Sequence, residues 1–308
     1  MRIFITGVCG YLGQAVAQAF RDKGHTVYGL VRSEEKATQL SLAEIRPIMG
    51  DMNNPDSYRK TLEEVDVAVH CALDSSEKME ELDAKTIDTI LDVFSKSATE
   101  KTFIYTSGIW VYGSTGGNVA DETFPLNPIE LAKWRPAHEN KVINANSDHL
   151  HTIILRPASI YGGKRGFLGL MNIFFESLHD GAVTIIGDGA NYRPLIHIVD
   201  LAHAYVSAVE KKIKGVILNV VDDSCVTVKD IALAIAKSAG VPDQLHSVSV
   251  EEYKKQLGPI VDGLALDQKV SNAKIKELLQ WKIHHFPFIE EVDLYFNAWK
   301  ASQKVVEF

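Results

Sequence analysis

The segment RIFITGVCGYLGQAVAQAF, residues 2–20, constrains the fold more than any other. A short apolar run ends in TGVCGYLG, where Gly7, Gly10 and Gly13 recur at every third position. Leu12, Ala15, Val16, Ala19 and Phe20 then take the i, i+3, i+4, i+7, i+8 spacing of one buried helix face. Strand, glycine turn and helix in that order form a phosphate cradle. Gly7 permits the tight turn, Gly10 lets backbone approach a pyrophosphate, and Gly13 lets the helix pack close to the strand. The N–H groups and positive dipole end of the helix favour an anion there. Tyr11 and Leu12 fall inside the same cradle. The expectation is a dinucleotide site, against the alternative of a merely structural turn.

The rest of the chain repeats this alternation. Strands are predicted at Arg2–Thr6, Thr26–Val31, Val65–His70, Thr102–Thr106, Thr152–Arg156 and Val216–Val220. They are nearly continuous apolar runs, as strands covered on both faces require. Helical patterns lie between them, which implies an α/β fold with a doubly wound parallel sheet. After about residue 158 the rhythm loosens. Residues 1–158 with 192–226 are therefore expected to form the dinucleotide-binding Rossmann domain. Residues 159–191 with 227–308 are expected to form a smaller helix-rich substrate lobe over the carboxyl ends of the strands.

Arg32 follows the second strand. An acidic residue there would bind the ribose 2′-OH of NAD, whereas an Arg accommodates the 2′-phosphate of NADP. Arg32 and Ser33 thus favour NADP, with NAD as the alternative because Glu34 and Glu35 follow closely. The net charge of −8 argues against a nucleic-acid partner. No apolar run reaches the roughly 18–20 residues of a membrane span. No leader pattern precedes RIFITG, and Cys9, Cys71 and Cys225 form no CxxC, so a cytoplasmic, reducing location is expected. His149 and His151 have no third ligand near them in sequence, so no metal is expected.

Several further segments occur in a telling order: GDMNNPDSY (50–58), VHCALDSS (69–76), FIYTSGIWVYG (103–113), LRPASIYGG (155–163) and RPLIHIVDLAHAYV (193–206). With the glycine turn, they resemble the extended branch of the short-chain dehydrogenase/reductase superfamily, the NAD(P)-dependent epimerase/dehydratase-like proteins. The resemblance runs over most of the chain. It implies cofactor contacts from Asp51 and Met52 at the adenine, from Cys71 and Ala72 along the cofactor backbone, and from Thr106 and Pro157 near the nicotinamide. Arg193 and His197 are the informative side chains of the last segment, and the resemblance allows a homodimer through helices such as 84–98 and 130–147.

The same resemblance exposes a departure. The family's catalytic set is Ser/Thr, Tyr and Lys, with Tyr-x-x-x-Lys on one helix face, where the Lys charge lowers the phenol from its ordinary pKa near 10. Aligning Glu139 of IELAKWRPAHENK (129–141) with the family's Glu puts Arg135 at the Lys position and Leu131 at the Tyr position. Gly108 falls at the usual hydroxyl. Arg135 still suits the nicotinamide ribose and carries a permanent charge. A positioned general acid contributes about 10²–10⁴-fold, so a replacement is needed. The candidates are Ser107, Tyr161, Tyr112 and His138, with Arg135, Ser107 and Tyr161 taken as the catalytic group. Two readings follow: an NADP-dependent oxidoreductase or epimerase/dehydratase-like enzyme acting by hydride transfer on a small carbonyl or hydroxyl substrate, or a non-catalytic NADP-binding sensor or scaffold.

Overall fold

The computed structural model describes residues 1–74, 76–163 and 169–304. Ser75 of the VHCALDSS segment, 164–168 of the expected second lobe and 305–308 lie outside the described residues. Seven strands form the main sheet: β1 (Arg2–Thr6), β2 (Thr26–Val31), β3 (Arg46–Met49), β4 (Val67–His70), β5 (Lys101–Thr106), β6 (Leu150–Pro157) and β7 (Val216–Val220). Their order is β7-β6-β5-β4-β1-β2-β3, and every pair is parallel. The direction of winding reverses between β1 and β4. Open α/β sheets bind ligands at that switch point, beyond the carboxyl ends of the strands.

Strand β3 is absent from the sequence expectation. Its residues RPIM are short, carry Pro47 and include no fully buried residue. It is the edge strand beside β2, where a residue without an N–H is tolerated. By contrast, all eight residues of β6 are buried, which accounts for its unbroken apolar run.

Side chains alternate across the sheet and fill two layers. Ile3, Ile5, Val69, Ile104 and Leu155 pack on the face covered by helix α1 (Tyr11–Asp22) and helix Ile198–Glu210. Phe4, Ala68, Phe103 and Ile154 pack on the other face. Helix α2 (Glu34–Leu42) follows β2. Helices α3 (Asp56–Glu64), α4 (Met79–Ser95) and α5 (Arg135–Asn144) cover the second face through Tyr58, Ile87 and Val142. A third apolar cluster gathers Met171, Phe175 and Val183 with Ile231 and Ile235 of helix Val228–Ser238 and Trp299 of helix Val292–Ser302. Ile275, Leu279 and Trp281 pack instead with the sheet layer. Among the described residues no helix is long and apolar enough to cross a membrane.

Candidate active site

The carboxyl ends of the strands bring most of the expected cofactor residues to one edge. Gly7 directly follows β1 at φ +70, and a Cβ on it would come within 2.6 Å of the Ala72 backbone. That close approach ties the glycine turn to the segment after β4. A Cβ on Gly13 would lie 2.1 Å from the Gly7 carbonyl oxygen, so only glycine lets α1 start so near the turn. Gly10 caps α1 without a side-chain hydrogen bond, and no acidic residue occupies the first turn. The helix N-terminus therefore retains its anion-attracting character. Leu12 packs against the core, leaving only its backbone for a ligand.

Arg32 is exposed directly after β2, and Ser33 caps the next helix by accepting from Lys36 N. Asp51 follows β3 and accepts from Asn53 N at 2.7 Å, while Met52 packs on the core layer beneath. Cys71 receives a hydrogen bond from Thr106 Oγ1 at 3.6 Å, and burial pushes its thiol up to about 12. Thr106 also bonds the Tyr205 hydroxyl at 2.7 Å. Both groups are thus engaged in packing against helix Ile198–Glu210.

A cavity of about 520 Å³ opens beside this edge. Ser107, Arg135 and Pro157 line it, as do Leu131 and Gly108, the positions at which the resemblance led a phenol and a hydroxyl to be sought. Arg135 Nη1 donates to the Thr106 carbonyl at 2.9 Å and lies 3.5 Å from the Tyr105 hydroxyl. Its guanidinium sits 4.6 Å from the Trp134 ring centre, a cation–π contact. Ser107 Oγ is buried and has no hydrogen-bond partner among the described residues. A buried hydroxyl left without a partner is uncommon and calls for an explanation. Ser107 is one of the residues that line the cavity.

The helix expected over 130–147 is shorter. Leu131 lies on a 3₁₀ turn, Glu130–Ala132, and α5 begins only at Arg135, with Pro136 in its first turn. Pro fits there because its missing N–H would be unpaired anyway. Leu131 and Arg135 therefore do not share one α-helical face, although they line the same cavity.

The remaining candidates are withdrawn from it. The Tyr161 hydroxyl donates to the Phe286 carbonyl at 3.1 Å, and the ring packs edge-on against Phe288, Tyr295 and His197. Tyr161 belongs to the third apolar cluster and is not on the cavity wall. Burial raises its phenol well above the ordinary value, with Asp222 adding to the shift. The structure thus places Tyr161 apart from Ser107 and Arg135, with which the sequence grouped it. Tyr112 accepts from Arg156 Nη1 at 2.7 Å and donates to Asn219 Oδ1 at 2.7 Å. Arg156 Nε donates to Glu139 Oε1 at 3.0 Å, and its Nη2 bonds Glu139 Oε2. His138 Nδ1 lies 2.7 Å from Asp83 Oδ2.

Asp83 was not foreseen. The β1–β4–β5 register places Thr6, His70 and Tyr105 in one row, and α4 lowers Asp83 onto it. Its carboxylate accepts from Tyr105 at 3.0 Å and pairs with His70 at 3.1 Å. Burial raises its pKa, but His70, His138 and Arg135 outweigh burial and hold it well below the carboxylate range. Sequence spacing offers no signal for this set, because three strands and two helices supply it.

A further cluster lies at the start of helix Ile198–Glu210. His197, Asp200 and His285 bring potential metal-ligand atoms within 4.8 Å of one another. The two rings are stacked, with centres 3.5 Å apart and planes 17° apart. In-plane lone pairs on stacked rings do not converge on a common ion. His197 caps helix Ile198–Glu210 by accepting from Val199 N. Asp200 accepts the amides of His284 at 3.2 Å and His285 at 3.1 Å.

A model of the NAD dependent epimerase/dehydratase family matches residues 3–220. An uncharacterized protein of Schizosaccharomyces pombe is 33% identical over 307 residues, covering 96% of this chain and 100% of the relative. The sterol-4-alpha-carboxylate 3-dehydrogenase, decarboxylating, of Dictyostelium discoideum is 25% identical, covering 80% of this chain and 79% of the relative. Among solved structures, the dTDP-glucose 4,6-dehydratase of Bacillus anthracis in complex with NAD superposes with a TM-score of 0.82 at 17% identity, covering 99% of this chain and 98% of that one. That likeness shows the fold. The chain belongs to the NAD-dependent epimerase/dehydratase family.

Proposed function

We propose that this protein is an NADP-dependent oxidoreductase that moves a hydride between the nicotinamide and a carbonyl or hydroxyl carbon of a small molecule. The observation that carries the reading is that one cavity is lined by both Arg135 and Ser107, whose buried hydroxyl has no partner among the described residues, beside Pro157 and the ends of β5 and β6. Residues around the glycine turn fit a dinucleotide: the α1 N-terminus has no capping side chain and no acidic first turn. Exposed Arg32 after β2 supports NADP over NAD. When bound, the nicotinamide supplies or accepts the hydride.

The protein's own part is polarisation. The Arg135 charge, held in place by the Thr106 carbonyl and stacked on Trp134, stabilises negative charge developing on the substrate oxygen. Ser107 Oγ donates a hydrogen bond to that oxygen, and solvent supplies the final proton. A guanidinium and a hydroxyl replace the phenol whose position Leu131 fills.

The test is NADPH oxidation by nucleotide-stripped protein over a panel of carbonyl compounds. Turnover that falls by about 10²-fold or more in Ser107→Ala supports the reading. One feature favours a non-catalytic NADP-binding sensor: among the described residues, the only phenol on the cavity wall, Tyr11, donates to the Gly162 carbonyl at 2.5 Å. That alternative gains if NADPH binds and no panel compound is turned over.

A further inference from the structure

The cavity differs chemically from a site built for a charged sugar nucleotide. Its wall is formed largely by Ile109, Trp110, Leu131, Trp134, Leu170 and Ile260. Among the described residues Arg135 is the one cation on that wall, and its Nη1 is already bonded to Thr106 O. Arg193 does not line the cavity. It is buried, its Nη1 donates to Ser159 Oγ at 3.3 Å, and its Nη2 bonds the Leu264 carbonyl. A diphosphate placed here would lose its water without gaining matching donors, a costly exchange. Sugar hydroxyls would meet the same shortage, since among the described residues Ser107 and Ser159 are the only hydroxyl side chains on the wall apart from Tyr11. Space for a bulky apolar body is available. A Cβ on Gly108 would meet nothing nearer than Pro157 O at 3.9 Å.

We infer that the substrate class is an uncharged ketone or alcohol with a fused-ring or branched apolar body, its oxygen set against Ser107 and Arg135. The apolar body packs on the Trp110 and Trp134 side, and Leu170 and Ile260 close over it from the second lobe. This deepens the proposed function and rests on it for the chemistry, while the binding preference rests on the cavity wall alone.

The experiment is a pair of calorimetric titrations of the full chain with trans-1-decalone and with UDP-glucose, each run with and without NADPH. Decalone binding at least about tenfold tighter than UDP-glucose, and weakened at least about tenfold by Leu170→Asp, is the expected result. Ile260→Asp, on a different element, should weaken it similarly. Circular dichroism of both variants checks their folding. Tighter binding of UDP-glucose overturns the inference, as does no decalone binding up to its solubility limit. So does decalone affinity untouched by both substitutions. Failure of NADPH itself to bind would count against the dinucleotide reading, with the decalone arm still deciding the substrate class.

Discussion

Glu139→Leu offers a sharp test of how the candidate active site is held in place. Glu139 and Arg156 are each only 2% exposed at the side chain, and they join α5 to β6 through two hydrogen bonds. Removing the carboxylate leaves a buried guanidinium with one neutral acceptor, the Tyr112 hydroxyl, and the face of its ring 4.9 Å away. Breaking one side of such a pair costs about 3–5 kcal/mol, because the surviving charge is uncompensated. The double substitution Glu139→Leu/Arg156→Met removes both charges and should recover most of that loss, a coupling of about 2–3 kcal/mol. Urea unfolding followed by tryptophan fluorescence measures all four corners of the cycle. Arg135 lies one turn before Glu139, so the single variant should also weaken NADPH binding. A single-variant loss below about 1 kcal/mol, or a double variant as unstable as the sum of the two singles, would refute the reasoning.

Other consequences can be checked alongside. Gly13→Val should abolish NADPH binding while leaving the sheet folded, because its Cβ would fall 2.1 Å from the Gly7 carbonyl; calorimetry and circular dichroism report the two effects. Arg32→Asp should shift the ratio of NADPH to NADH affinity towards NADH by at least about tenfold, read from paired titrations. Asp222 is predicted to make stability fall as pH rises. Burial lifts its pKa from 3.8 to about 6, so its favourable contribution is complete below the unfolded value and lost as pH climbs through the folded one. Asp222→Asn should flatten that part of the urea-midpoint profile.

Much of the architecture was legible because burial on both faces writes continuous apolar runs into β1, β2, β4, β5 and β6. β3 escaped because an edge strand needs neither that run nor a full set of N–H donors. The glycine turn was readable because its geometry excludes every side chain at Gly7 and Gly13. The cavity was legible only in part. Ser107, Arg135 and Pro157 all line it, whereas Tyr161 sits in a motif of the same kind but turns into the third apolar cluster. Motif position fixes where the backbone runs and leaves the partner of a phenol undecided. Nor could spacing reveal that Glu139 answers Arg156, or that Asp83 answers His70 and His138, since each pairing joins separate elements.

The most direct test of the central claim is calorimetric titration of nucleotide-stripped protein with NADPH and with NADH, with Gly13→Val as the control. Tight NADPH binding, weaker NADH binding and loss of both in the variant are predicted. Binding of neither nucleotide would contradict the account and leave the glycine turn as architecture alone.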